Sequence, residues 1–309
     1  MNFEFPIPPL AQVLLGLGLW IVLWLPIAIP LGRKLQWRPF QAATVQQKLP
    51  LLVPLYLLAP VMLAVLVAMG VTTWADTGLG DPSSMGRSLG LGWAIAVVGL
   101  GAVTAIRWAG GWLQVCPPDH PPTQPPTDGA CSPLDQDTRD PVPTAATGTT
   151  ESTAPTASRA VVVQRVGTTL ALIPLGLFLG GIEEWVFRGW MQSQLQTGFT
   201  PGLAAAIASL MFAAAHLLWD GRAGLRQQPG LWLLGLVLVL ARWVDGGQIG
   251  LAWGLHGGWV WGLACLDGVV PLRATAKGPW WWTGRSGQPL TGLLDGLLLL
   301  GTAWVLVGL

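Results

Sequence analysis

Charge is what this sequence has least of. Aspartate, glutamate, lysine and arginine make up 10% of its 309 residues, while 52% are apolar. An ordinary soluble domain carries about 25% charged residues, so a bilayer, not water, is the natural solvent for most of this chain. The formal net charge of +1 gives no support for nucleic-acid binding. The three cysteines, Cys116, Cys131 and Cys265, show neither metal-type spacing nor a disulfide framework. Tyrosine occurs once, and Asn2 is the only asparagine. Tryptophan, which favours the membrane–water interface, occurs 19 times. No lysine or arginine precedes the first apolar run, and Glu4 stands ahead of it. A cleaved signal peptide starts basic, so this run is expected to remain as a helix.

A spanning helix needs about 20 apolar residues at roughly 1.5 Å rise each. Eight segments qualify: Leu10 to Leu31, Leu49 to Val71, Leu89 to Val115, Val166 to Leu195, Pro201 to Trp219, Leu231 to Val244, Gln248 to Val270, and Leu290 to Leu309. The sixth is short. The expected fold class is therefore all-α, a polytopic bundle of about eight transmembrane helices. Arg107 and Asp295 lie inside spans, where a charge either snorkels or finds a partner. Residues 116–160 differ in kind. They are rich in Pro, Thr and Asp with almost no large apolar side chain, and cannot bury enough surface to offset ordering. A disordered loop is expected there, with His120 as a solvated loop histidine. The chain thus divides into 1–115 with three helices, the loop, and 161–309 with five.

Orientation follows from basic residues in the loops. Arg33, Lys34, Arg38, Lys48, Arg139, Arg159, Arg165, Arg222, Arg226, Arg273, Lys277 and Arg285 fall on one side, and only Arg87 and Arg242 on the other. This places both termini away from the cytoplasm in a multi-pass integral membrane protein, with a bacterial-type cell membrane as the expected setting. Gly250, Gly254, Gly258 and Gly262 recur every fourth residue and give the seventh helix a smooth stripe for close approach. Trp280, Trp281 and Trp282, beside basic residues, read as an interfacial anchor before the last helix.

The chemistry sits in residues a membrane tolerates poorly. Glu183 and Glu184 are adjacent in the fourth span, and each costs at least about 2.5 kcal/mol on insertion scales. Neighbouring helix positions differ by about 100° in azimuth, so the two are expected to play different parts. Glu184 and Arg188 have i, i+4 spacing for an intrahelical ion pair, which leaves Glu183 without a local partner. Phe212 and His216 share a face of the fifth span, and His256 lies in the seventh. A lone buried histidine is more often a satisfied structural group. Two of them with an unpaired glutamate on a third helix favour a site. Glu183 and His216 each stand about 20 Å from the connection between their antiparallel helices, so they can meet near mid-membrane. His256, about 12 Å in, is a looser match. A glutamate and a histidine flanking one water make a general base, and a second histidine can donate to a developing oxyanion. Alternatively Glu183, His216 and His256 could hold a divalent metal such as zinc, with a fourth position open. The first scheme needs no cofactor. No HExxH motif is present.

The pattern resembles the CPBP intramembrane proteases, the family of the CAAX prenyl endopeptidase of Rce1 type and of bacteriocin-processing and immunity proteins. The EExxxR motif is matched at Glu183, Glu184 and Arg188, FxxxH at Phe212 and His216, and the third motif at His256. The resemblance covers about Val166 to Val270. It implies an endopeptidase in which Glu183 and His216 activate water, His256 helps hold the oxyanion, and Glu184 and Arg188 support them. The family has been discussed both as metalloproteases and as metal-independent glutamate proteases. Val260 departs from the pattern, standing where the family has Asn or Asp. Valine donates no hydrogen bond, and losing one such donor costs about 10²–10³ in rate. Trp259, Trp261, Gln248 or a water would have to complete the oxyanion site. The expected partners are a peptide or membrane-protein substrate and the lipid bilayer, with no nucleic acid and no implied requirement for a prenylated substrate. A catalytically silent scaffold of the same fold is the second expectation, motivated by Val260. A proton-coupled transporter using the same acidic and histidine residues is the third, although no internal repeat accompanies it.

Overall fold

A computed structural model describes residues 7–115, 154–270, 272–275, 277–284 and 288–309 of the chain. It is an all-α membrane helix bundle. In order come α1 (Pro9–Lys34), α2 (Val45–Leu57), α3 (Ala59–Ala68), α4 (Pro82–Ala109), β1 (Leu113–Val115), α5 (Ala154–Glu184), a π-helical turn (Trp185–Met191), α6 (Gln192–Gln196), α7 (Pro201–Asp220), α8 (Gln228–Val244), α9 (Gly250–Gly268), β2 (Leu272–Ala274), α10 (Trp280–Thr283) and α11 (Leu293–Val307). Each of the eight apolar segments holds a helix. Five stretches are long and apolar enough to cross a membrane: Pro9–Lys34, Val45–Ala68, Ala75–Ala109, Val163–Gln196 and Pro201–Val244. The last contains both α7 and α8. The apolar helix Leu293–Val307 is shorter, and α9 lies outside the five. Residues 116–153, most of the interval read as a polar loop, lie outside the described residues; α5 opens at Ala154.

Local chemistry explains where the helices start and break. Asp81 caps α4, its side chain accepting from the Ser83 and Ser84 amides at 3.1 Å each, with Pro82 pre-set at the first helical position. The second apolar segment is two helices, not one. Pro60 has no N–H to offer the Tyr56 carbonyl four residues earlier, and the helix breaks at Leu58. Two indoles fasten α2 to α1: Trp20 Nε1 donates to the Leu55 carbonyl at 2.7 Å and Trp24 Nε1 to that of Leu51 at 3.0 Å.

Helix α9 is the centre of the bundle, held between α4 and α5. Its glycine stripe faces α4. A Cβ at Gly258 would fall 2.7 Å from that of Ala96, one at Gly250 2.8 Å from the Met85 carbonyl, and one at Gly254 onto the Leu89 carbonyl. On the other side, a Cβ at Gly180 of α5 would fall 2.7 Å from the Gly257 amide nitrogen, and one at Gly176 2.8 Å from the Gly257 carbonyl. These helices touch backbone to backbone, the arrangement small residues permit in a membrane. The intramembrane charges of α4 and α11 find each other: Arg107 Nη2 donates to Asp295 Oδ1 at 2.7 Å and to the Thr283 carbonyl at 3.0 Å. Leu113–Val115 and Leu272–Ala274 form a short antiparallel ribbon. Trp280 and Trp281 are exposed on α10.

Candidate functional site

Glu183 and Glu184 end α5, and the helix then widens into the π-helical turn that carries Arg188. Such turns are rare and frequent at functional sites. Because Gly180 admits the α9 backbone directly, His256 arrives one turn further along opposite the two carboxylates. The bundle's close approach and the site are thus the same feature.

Glu184 and Arg188 form the expected ion pair, Oε1 to Nη1 at 3.0 Å, with both side chains almost wholly buried (0% and 1% exposed). The guanidinium lies over the Phe212 ring, 4.1 Å from its centroid, where cation–π attraction adds to the pairing. Glu184 Oε1 also receives His256 Nδ1 at 2.7 Å. One buried oxygen therefore gathers a guanidinium from its own helix and an imidazole from α9.

Glu183 is not left alone, as its own helix would suggest. Its Oε1 accepts a hydrogen bond from the hydroxyl of Tyr56 on α2. Its Oε2 lies 3.5 Å from His256 Nε2 and has no hydrogen-bond partner although it is buried. The two glutamates, expected to play different parts, share a neighbour. Their azimuths differ, but an imidazole has nitrogens on two sides, and His256 spans the gap with one nitrogen toward each carboxylate.

His216 sits on α7 beside Phe212. Its Nδ1 lies 2.9 Å from the Phe212 carbonyl, and since a carbonyl can only accept, this nitrogen carries the proton. Nε2 is thereby left as the acceptor. The Phe212 ring packs edge-on between the histidines, with centroids 4.8 Å from His216 and 5.7 Å from His256. Lys48 and Asp220 pair at 3.2 Å one helical turn beyond His216. Glu183, Glu184, Arg188, Phe212, His216 and His256 thus converge, and His256, the looser match by depth, makes the closest contacts with the carboxylates.

Two groups escaped sequence reasoning. Tyr56 lies 127 residues from Glu183, and its one signal is its singularity: a lone phenol in an apolar helix needs a hydrogen-bond partner. Lys48, read from the sequence only as a loop charge, is the other, two helical turns before Tyr56 on α2. The residues considered as replacements for the missing donor at Val260 separate clearly. Trp261 Nε1 is committed to the Thr169 carbonyl at 2.9 Å. Gln248 Oε1 accepts from Ser84 Oγ at 3.1 Å, at the start of α9. Trp259 Nε1 is buried with no partner. Among the described residues, no three His, Cys, Asp and Glu side chains are grouped to hold a metal ion.

Residues 165–262, about a third of the chain, match the family model of the type II CAAX prenyl endopeptidases, Rce1-like. The match brackets Glu183 to His256 and is consistent with the CPBP family. No curated protein and no solved structure matches the chain.

Proposed function

We propose that the chain is an intramembrane endopeptidase that hydrolyses peptide bonds with water activated by Glu183 and His216. The observation carrying this is Glu183 Oε2, a buried carboxylate oxygen with no hydrogen-bond partner, 3.5 Å from His256 Nε2. Such an oxygen can take a proton from water, and His216 Nε2 is free to hold that water from the other side. The hydroxide then attacks the scissile carbonyl carbon. With a proton on each ring nitrogen, His256 donates Nδ1–H to Glu184 and turns Nε2–H toward the developing oxyanion, the preorganised donor such steps need. That charge state also makes the cluster neutral: two carboxylates, Arg188 and one imidazolium. Net neutrality is what a group of charges this deep requires. The proton held by Glu183 passes to the leaving nitrogen as the C–N bond breaks.

This scheme runs on glutamate, histidine and water; a divalent metal held by Glu183, His216 and His256 is the alternative that a chelator distinguishes. The substrate is a peptide or a membrane protein reached within the bilayer. Positive loop charge supports both termini facing away from the cytoplasm of a bacterial-type cell. The test is cleavage of a peptide library by purified wild type, Glu183→Ala and His216→Ala, with and without a chelator. Loss in both variants and indifference to the chelator are expected. Unchanged cleavage in both variants sinks the mechanism, and chelator loss restored by zinc replaces it with a metal-dependent one. Val260 supports a second reading, a silent scaffold of the same fold, for which a wild type that cleaves nothing in the library is the expected result.

A further inference from the structure

We propose that Tyr56 is the positioning residue for Glu183: its hydroxyl occupies one carboxylate oxygen and so dedicates the other, Oε2, to the water. A buried phenol must place its O–H, since an unpaired hydroxyl in an apolar setting is costly. Among the described residues the Tyr56 hydroxyl is the one hydrogen-bond donor to Glu183 Oε1, and the bond is charge-assisted. Its consequence is asymmetry. Oε1 is committed, while Oε2 is buried, unpartnered and 3.5 Å from His256 Nε2. Without the phenol, the carboxylate is free to turn about its terminal torsion, which is broad and roughly two-fold, and either oxygen or neither faces the water.

The helices around Tyr56 hold it to this task. Its ring stacks on Trp20 at 6.2 Å and 29° and lies 6.2 Å from Phe178 of α5. Trp20 is itself tied to the Leu55 carbonyl next door. The break at Leu58 frees the last turn of α2 from the direction of α3. The phenol is thus clamped between α1 and α5, with its oxygen at the end of Glu183.

The catalytic part of this inference rests on the endopeptidase reading; the bond itself does not, and two measurements keep them apart. Tyr56→Phe removes the proton donor and keeps the ring contacts. In the infrared, the band lost between wild type and Glu183→Gln identifies the Glu183 carboxyl group. That band should shift in Tyr56→Phe, and a band that superimposes on wild type overturns the proposal whether or not the protein cleaves peptides. In kinetics, Tyr56→Phe should lower kcat about 10- to 100-fold, the worth of one hydrogen bond to a charged group, with KM unchanged. A packing role instead predicts that Tyr56→Phe behaves as wild type and only Tyr56→Ala is impaired. That outcome, or a change confined to KM, overturns it.

Discussion

An ionised carboxylate in a bilayer persists only if its surroundings supply what water would. Glu184 has Arg188 and His256; Glu183 has Tyr56 on one oxygen and a histidine nitrogen near the other. Removing Arg188 leaves Glu184 in a fully buried position with half its compensation. Breaking such a pair from one side costs about 3–5 kcal/mol, so Arg188→Ala should unfold well below wild type in a detergent thermal melt, and cleavage should fall with it. Val260 calls for the opposite kind of change. Val260→Asn restores a donor one helical turn beyond His256. It should raise turnover, by up to about 10² to 10³ if the oxyanion site lacks a donor; no change in cleavage means that Trp259 or another group already fills that place. The Glu184–Arg188 pair was legible in the sequence because helical spacing encodes it. The Tyr56–Glu183 bond was not, because contacts between distant helices leave no periodic trace.

At the scale of the elements, small residues decide where the site can form. The glycine stripe on α9 was legible from its four-residue repeat and faces α4 as a packing surface should. The second interface, Gly176 and Gly180 against Gly257, carries His256 to the glutamates and is less regular in sequence. Gly180→Leu forces α5 and α9 apart and should cost about 1–3 kcal/mol as an overpacked contact, with a larger loss of cleavage than the melt explains, since the histidine moves with its helix. Gly202→Leu, where an added Cβ meets nothing within 4 Å, is the matched control and should leave both measurements near wild type. The π-helical turn at Trp185–Met191 and the break at Leu58 were not read from hydrophobic runs. Both are changes in hydrogen bonding inside a continuous apolar segment, and hydropathy does not register them.

For the whole molecule, each of the eight apolar segments holds at least one helix, and the bundle follows from the scarcity of charge. Depth arithmetic brought Glu183 and His216 together but ranked His256 as the outlier. It treated helices as straight rods of equal tilt, while the glycine contacts let α9 lie directly against α5 at the level of the carboxylates. Orientation is open to a direct check. In a background with Cys116, Cys131 and Cys265 replaced by serine, Ala42→Cys should react with an impermeant maleimide only from the cytoplasmic side and Ala75→Cys only from the other; labelling in the reverse sense inverts the topology. The central claim is that Glu183 does chemistry on water within this bundle. It is tested most directly by turnover of a cleaved peptide in purified wild type and Glu183→Gln, each with a thermal melt. The expected result is a cooperative melt from both proteins, showing that each is folded, and cleavage that is lost in the variant. Equal turnover in the two proteins contradicts the account.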